Sequence, residues 1–389
     1  MNAVSEVKAD KLPPGIRSRF VDGVNGLRMH ILEAGYEPPN QPRVLLLHGF
    51  PELAYSWRKV MEALAASGFH VIAPDQRGYG RTTGWDPDYD GALDSFGIPN
   101  LVRDAIALVF RLGHRSVHAV VGHDFGSPVA AYCALIRPDI FRSVALMSAP
   151  FEGPPTYPSG IFKSNVASDS VADSFEPDIN KMLASLARPR KHYQNYYCTR
   201  SANNDMLHSA QGLSAFLRAY FHYKSADWKA NNPFPLNSWT SDELAKMPSY
   251  YIMDLDCGMA EAVLPYMPSS DEILACSWLT EDELHFYSTE FSRTGFQGGL
   301  NWYRSSSSEK QLNELRLYSG RTIDVPACFI GGNKDWGVYQ RPGALEKMQS
   351  IACINMTSCK LVTGAGHWVQ QEQPNTVANL LTVFFSFHA

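Results

Sequence analysis

Gly122-His123-Asp124-Phe125-Gly126 sets a carboxylate between two small residues, directly after the apolar run SVHAVV and before SPVAA. Glycines on either side let a strand turn sharply into a helix, which lifts the central side chain above the sheet edge. A serine at that point would attack an acyl carbonyl with help from a histidine base. An aspartate needs no base. It attacks a saturated carbon that bears a leaving group and leaves an alkyl ester on the protein. Read alone, the five residues also describe a Gly-rich turn with a solvated Asp.

Three further segments fit the same chemistry. His48-Gly49-Phe50-Pro51 follows the apolar run RVLLL. The backbone N–H of Phe50, with that of Phe125, is placed to point two donors at one oxygen, as an oxyanion hole does. Asp335 lies just past ACFIGG, and His367 just past CKLVTGAG. Singly, Asp335 reads as a helix N-cap and His367 as a core or loop histidine. In chain order they supply nucleophile, orienting acid and general base. His367, oriented by Asp335, would take a proton from water, and the hydroxide would cleave the ester on Asp124.

These residues need a sheet to hold them. RVLLLHGF (43–50), HVIAPDQRG (70–78), SVHAVVGHDFG (116–126) and RSVALMSAP (142–150) are short, apolar on both faces and closed by Gly, Pro or Asp. Such runs suit buried parallel strands. Helix-like segments lie between them at Tyr55–Ser67, Asn100–Leu112 and Ser127–Ile136. The repetition predicts an α/β fold with a mostly parallel, doubly wound sheet. SRFVDG and LRMHILEAG read as a hairpin at its edge. From Phe151 to about Gly320 the strand signal disappears, and helical patterns such as LSAFLRAYFHY and TEDELHFYSTEF take over. ACFIGGNKD and CKLVTGAGH then restore the alternation of strand and helix. The expected organisation is a core of residues 1–150 and 321–389 with a helical insert, 151–320.

The chain resembles the α/β-hydrolase superfamily and, within it, the soluble epoxide hydrolases. The resemblance spans nearly the whole chain and rests on HGFPELAYSWR (48–58), DQRGYGRT (75–82), GHDFG (122–126), GGNKD (331–335) and GAGHW (364–368). In the insert, HYQNYY (192–197) resembles the family's first cap-tyrosine segment and maps onto Tyr193, with Tyr196 and Tyr197 as the other choices. TGFQGGLNWYR (294–304) resembles the second and maps onto Tyr303. The resemblance implies an α/β-hydrolase fold with a helical cap, and hydrolysis of a small lipophilic epoxide by water to a vicinal diol. Tyr193 and Tyr303 would then donate to the epoxide oxygen. Two departures stand out: Phe125 replaces the Trp that many relatives carry after the nucleophile, and the intervals to the cap tyrosines are long. The alternatives are a dehalogenase on the same core and a non-catalytic ligand-binding relative. A halide needs N–H donors, and Phe125 lacks the side-chain N–H that a Trp there would offer. No Ser or Cys occupies the elbow for ordinary esterase action.

Composition narrows the rest. Of 389 residues, 45% are hydrophobic and 19% charged, a globular balance that excludes a disordered or fibrous chain. Net charge is −5 with no basic run, so no nucleic-acid partner is expected. Seven cysteines without CxxC or Cys/His spacing read as free thiols rather than a zinc site or a disulfide framework. Asp75-Gln76-Arg77-Gly78-Tyr79-Gly80 is a strand-end turn and not a dinucleotide loop, and neither metal nor organic cofactor is expected. The start MNAVSEVKAD lacks the apolar region of a signal peptide, and Asn2 stands where myristoylation needs Gly. Val377–Phe387 is about half a membrane span and reads as a final docking helix. A cytoplasmic protein is expected, monomeric or homodimeric.

Overall fold

The computed structural model describes residues 4–157 and 178–387. Residues 158–177 of the expected insert lie outside the described residues, as do the first three and last two of the chain. The strands are β1 (Ile16–Val24), β2 (Leu27–Ala34), β3 (Arg43–Leu47), β4 (His70–Pro74), β5 (Ala119–His123), β6 (Val144–Met147), β7 (Arg190–His192), β8 (Ile252–Asp254), β9 (Ala327–Gly332) and β10 (Met356–Val362). Eight of them form one sheet in the order β1-β2-β4-β3-β5-β6-β9-β10. The β1–β2 hairpin turns at Asn25-Gly26, where φ is 49° and 83°. Two positive φ values match the twist of a two-residue hairpin, which is why Asn-Gly stands there. β2 runs antiparallel to β4, and all pairings from β4 to β10 are parallel.

Both faces of the sheet are covered. Along β3, Val44 and Leu46 pack with Val60, Leu64, Leu381 and Phe385. Leu45 and Leu47 pack with Leu101, Leu108 and Val129. The helices Arg58–Ala66 and Pro374–Ser386 therefore cover one face, and Ile98–Arg111 and Gly126–Ile136 the other. Every residue of β5, β6 and β9 is buried, which explains why their sequences show apolar runs instead of alternation. The reactive loops all leave the carboxyl ends of these central strands, where an open parallel sheet forms its crevice.

Between β6 and β9 the described residues are mainly helical. The exception is the antiparallel pair β7–β8, which the sequence pattern does not reveal. Strands of three residues are too short to show a period of two. The helix Glu281–Thr294 starts with a reciprocal cap: Thr280 Oγ1 accepts from the Glu283 N–H at 3.3 Å, and Glu283 Oε2 accepts from the Thr280 N–H at 2.8 Å. It stops at Gly295, where φ is 63°. The next helix, Gln297–Ser306, presses directly on the core. A methyl group at Gly298 would overlap the Gly78 carbonyl oxygen, and one at Gly299 would lie 2.7 Å from the Phe50 ring and the Tyr79 hydroxyl. Trp302 fixes the contact by donating its indole N–H to the Arg77 carbonyl at 2.9 Å. Among the described residues no helix is long and apolar enough to cross a membrane.

Candidate active site

Asp124 stands at the turn between β5 and the helix Gly126–Ile136 with φ of +52°, a conformation that costs energy for a residue with a Cβ. Glycines make the turn possible. A methyl group at Gly122 would overlap the Gly126 carbonyl oxygen, and one at Gly126 would overlap that of Leu47. Gly49 is the third: a methyl group there would collide with Asp124 Oδ1 and lie 2.7 Å from the Phe125 nitrogen. The Phe50 N–H donates to Asp124 Oδ1 at 2.8 Å. That leaves Oδ2 on the side of His367, whose Nε2 is 3.4 Å away. Burial alone would raise the pKa of Asp124. His367 beside it, with Lys224 and His123, outweighs that and holds the carboxyl well below the usual range.

His367 lies between the two aspartates. Its Nδ1 is 3.0 Å from Asp335 Oδ1 and 2.9 Å from Ser148 Oγ. Both partners can accept from an Nδ1–H, so the lone pair sits on Nε2. Nε2 is buried and has no hydrogen-bond partner among the described residues. Asp335 is 1% exposed and accepts from the Gly337 N–H at 2.7 Å and from Ser148 Oγ at 2.5 Å. Burial opposes its charge, but His367, Ser148 and Gly337 together keep its pKa below the ordinary value.

Several participants carry no signal in the sequence. Ser148, just after β6, is fully buried with φ of +67° and bonds both Asp335 and His367. Its partner Asp335 is 187 residues away in the chain, and nothing in SAP marks the serine. Glu52 and His123 form a second buried pair at 2.6 Å. Glu52 also accepts from the Gly49 N–H at 3.1 Å and from Gln370 at 2.8 Å, while His123 Nε2 donates to the His367 carbonyl at 2.7 Å. This pair ties the Asp124 loop, the Gly49 loop and the His367 loop together. Glu372 also clamps the His367 loop by accepting from the N–H groups of Gly366 and Trp368 at 2.9 and 3.0 Å.

A cavity of about 560 Å³ opens above Asp124, with Phe125, Tyr193 and Tyr303 in its wall. The rings of Tyr193 and Tyr303 are 6.0 Å apart. Tyr193, Tyr196 and Tyr197 share the short helix Tyr193–Tyr197, and that turn aims them differently. Tyr196 donates to Asp205 at 3.4 Å, and the Tyr197 hydroxyl pairs with that of Tyr220 at 3.1 Å. Neither lines the cavity. The Tyr193 hydroxyl donates to Gln340 at 3.3 Å and accepts from Gln194 at 3.1 Å. The Tyr303 ring packs edge-on against Phe50 and Phe125 at 5.6 and 5.0 Å. Burial, then the Asp124 charge, pushes both phenols above their ordinary pKa, so both remain O–H donors. The rest of the wall is largely apolar and includes Ile98, Pro128, Tyr132 and Leu315. Among the described residues no group of three His, Cys, Asp or Glu side chains is placed to hold a metal ion.

Comparison with known proteins places this geometry in context. Residues 42–374 match the family model described as the alpha/beta hydrolase fold. Epoxide hydrolase A of Mycobacterium tuberculosis is 32% identical over 374 residues, covering 95% of this chain and 97% of that protein. Epoxide hydrolase 2 of Siraitia grosvenorii is 27% identical, covering 92% of this chain and 95% of that one. The solved structure of an epoxide hydrolase from an endophytic Streptomyces superposes with a TM-score of 0.74 at 29% identity, covering 96% of both chains.

Proposed function

The chain belongs to the alpha/beta hydrolase fold family and, within it, to the epoxide hydrolases, and from that membership we propose a mechanism in which Asp124 is alkylated by the epoxide and then regenerated by water. Asp124 Oδ2 attacks one ring carbon, and the bond from that carbon to the epoxide oxygen breaks. Tyr193 and Tyr303 donate hydrogen bonds, and one of them a proton, to the departing alkoxide. Oδ1 becomes the carbonyl oxygen of the ester and already accepts from the Phe50 N–H. His367 Nε2 then takes a proton from water, while Asp335 and Ser148 hold Nδ1–H. The hydroxide adds to the ester carbon, and its negative charge collects on Oδ1 facing the Phe50 and Phe125 amides. Collapse breaks the acyl–oxygen bond, the product oxygen takes the proton back from His367, and a vicinal diol leaves. The proton left on the Asp124 carboxyl returns to the tyrosinate, and Asp124 is restored as a carboxylate with one oxygen from water.

One observation carries this reading: the Asp124 carboxylate and two phenols line one cavity, and 3.4 Å from that carboxylate stands a histidine nitrogen with no hydrogen-bond partner among the described residues. Residues 151–320 act as the cap that brings the phenols to a core formed by 1–150 and 321–389. The apolar wall supports a lipophilic epoxide as substrate. The seven free thiols support a cytoplasmic setting. Both tyrosines act on alkylation alone. Tyr303→Phe should slow ester formation about tenfold to a hundredfold, since a hydrogen bond to a charged group is worth about 1.5–3 kcal/mol. The double Tyr193→Phe, Tyr303→Phe variant should be almost inactive, with decay of a pre-formed ester little changed. Pre-steady-state kinetics on a bulky epoxide tests this. Unchanged alkylation in the double variant would remove the tyrosine pair from the mechanism.

A further inference from the structure

One segment of the insert is bonded directly to the loops that carry Asp335 and His367. Segment 221–231 runs from the last turn of the helix Leu213–Lys224 into the chain that follows it. The Lys224 carbonyl accepts the His367 N–H at 2.9 Å, and the Phe221 carbonyl accepts the Trp368 indole N–H at 2.8 Å. The two backbones touch: a methyl group at Gly366 would lie 2.5 Å from the Ser225 carbonyl carbon and 2.6 Å from the Ala226 nitrogen. Two side chains complete the junction. Glu372 Oε2 accepts from the Ala226 N–H at 2.8 Å and from the Gly366 N–H at 2.9 Å, so one oxygen joins the insert to the His367 loop. Its Oε1 accepts from the Trp368 N–H at 3.0 Å. Desolvation, aided by the Asp227 charge, pushes the Glu372 pKa up to about 8 against the pull of these three N–H groups. Asn231 is fully buried and donates from Nδ2 to the Ser225 carbonyl at 2.9 Å and to the Lys334 carbonyl at 2.7 Å. Lys334 directly precedes Asp335.

The geometry of His367 depends on both loops. Its Nδ1 meets Asp335 at 3.0 Å and its Nε2 stands 3.4 Å from Asp124, and these distances follow from where the backbone carries residues 335 and 367. A misplacement of about 1 Å at a reacting group costs up to about a hundredfold in rate. Segment 221–231 holds one loop at Lys334 and the other at residues 366–368. Asp124 and the Phe50 N–H, which meet each other directly, have no hydrogen bond to this segment among the described residues. We propose that Glu372 and Asn231 are positioning residues for the hydrolytic step: through them the docked insert holds the Asp335 and His367 loops together and places His367 to activate water. The inference rests on the assignment of Asp124 and His367 under the proposed function. The insert then serves both halves of the reaction, bringing two phenols to the first and fixing the base for the second.

The test follows formation and decay of the Asp124 ester by rapid quench and intact mass in Glu372→Gln, in Asn231→Ala, and in each of these combined with His367→Gln. It is run above about pH 8, where Glu372 is ionised. Each single variant should form the ester at the wild-type rate, and its decay should slow about tenfold to a hundredfold. In the His367→Gln background neither substitution should slow the residual decay further, because a residue that acts only through the histidine has nothing left to position. Unchanged decay in both single variants, equal slowing of both steps, or a further loss on top of His367→Gln would overturn the proposal. So would a failure of both single variants to fold, since the task of the two residues would then be stability. Absence of any ester in the wild type would instead overturn the assignment of Asp124 on which the inference rests.

Discussion

The two nitrogens of His367 meet different neighbours, and the proposed mechanism gives each a different task. Nδ1 is held by Asp335 and Ser148, while Nε2 faces Asp124 with no hydrogen bond of its own among the described residues. Because attack by a carboxylate needs no base, His367→Gln should still be alkylated and should then stall. Intact mass spectrometry should find the variant carrying the mass of one epoxide. A variant that binds substrate yet forms no adduct would contradict the role given to the histidine. Ser148 offers a sharper separation of function from stability. Its φ of +67° is strained for serine and relaxed for glycine. Ser148→Gly relieves strain while deleting both hydrogen bonds. The melting temperature should therefore stay within a few degrees of wild type, because strain of about 1 kcal/mol and the lost bonds are of similar size. Ester hydrolysis should fall about tenfold, as one charge-assisted bond implies, and alkylation should be spared. Equal losses in both steps would make Ser148 merely structural.

At the scale of elements, strand ends place the reactive groups and glycines let them approach. β3 delivers Gly49 and Phe50, β5 delivers Asp124, β6 delivers Ser148, and β9 and β10 lead to Asp335 and His367. The helix Gln297–Ser306 reaches the same point from the insert because Gly298 and Gly299 allow backbone contact with Gly78 and Phe50. The far edge of the sheet depends on a different device. Glu33 on β2 has a fully buried side chain and pairs with Arg19 at 2.5 Å, Arg17 at 3.0 Å and His70 at 3.1 Å. Burial would raise its pKa, but His70 and Arg19, then Arg17, lower it to about 2. A carboxyl whose folded pKa is depressed stabilises the fold above its unfolded value, near about 4.3, and loses that contribution as pH falls toward the folded value. The contribution at neutral pH is on the order of 3 kcal/mol. Denaturant melts of wild type should lose stability between about pH 4.3 and about pH 2, and Glu33→Gln should flatten that part of the profile. An unchanged slope in the variant would contradict the assignment.

For the whole molecule, what could be read in advance was what local chemistry dictates. Apolar runs closed by Gly or Pro marked β3, β4, β5 and β6, and Asp124, Asp335 and His367, the proposed nucleophile, acid and base, follow strand ends in chain order. What escaped depended on contacts between distant segments. Glu52 meets His123 across 71 residues, Ser148 meets Asp335 across 187, and Asn231 meets Lys334 across 103. Tyr193, Tyr196 and Tyr197 were equivalent as letters; one helical turn gave them different neighbours, and only Tyr193 lines the cavity. All of these parts serve one claim, that the epoxide oxygen's partner in the diol comes from Asp124 and not directly from water. A single turnover in heavy-oxygen water, with enzyme in excess, tests it most directly. Digestion and mass spectrometry should find the heavy oxygen in the peptide carrying Asp124, and the first diol released should be unlabelled. Heavy oxygen in that first diol, with Asp124 unlabelled, would mean that water opens the ring itself and would contradict the account.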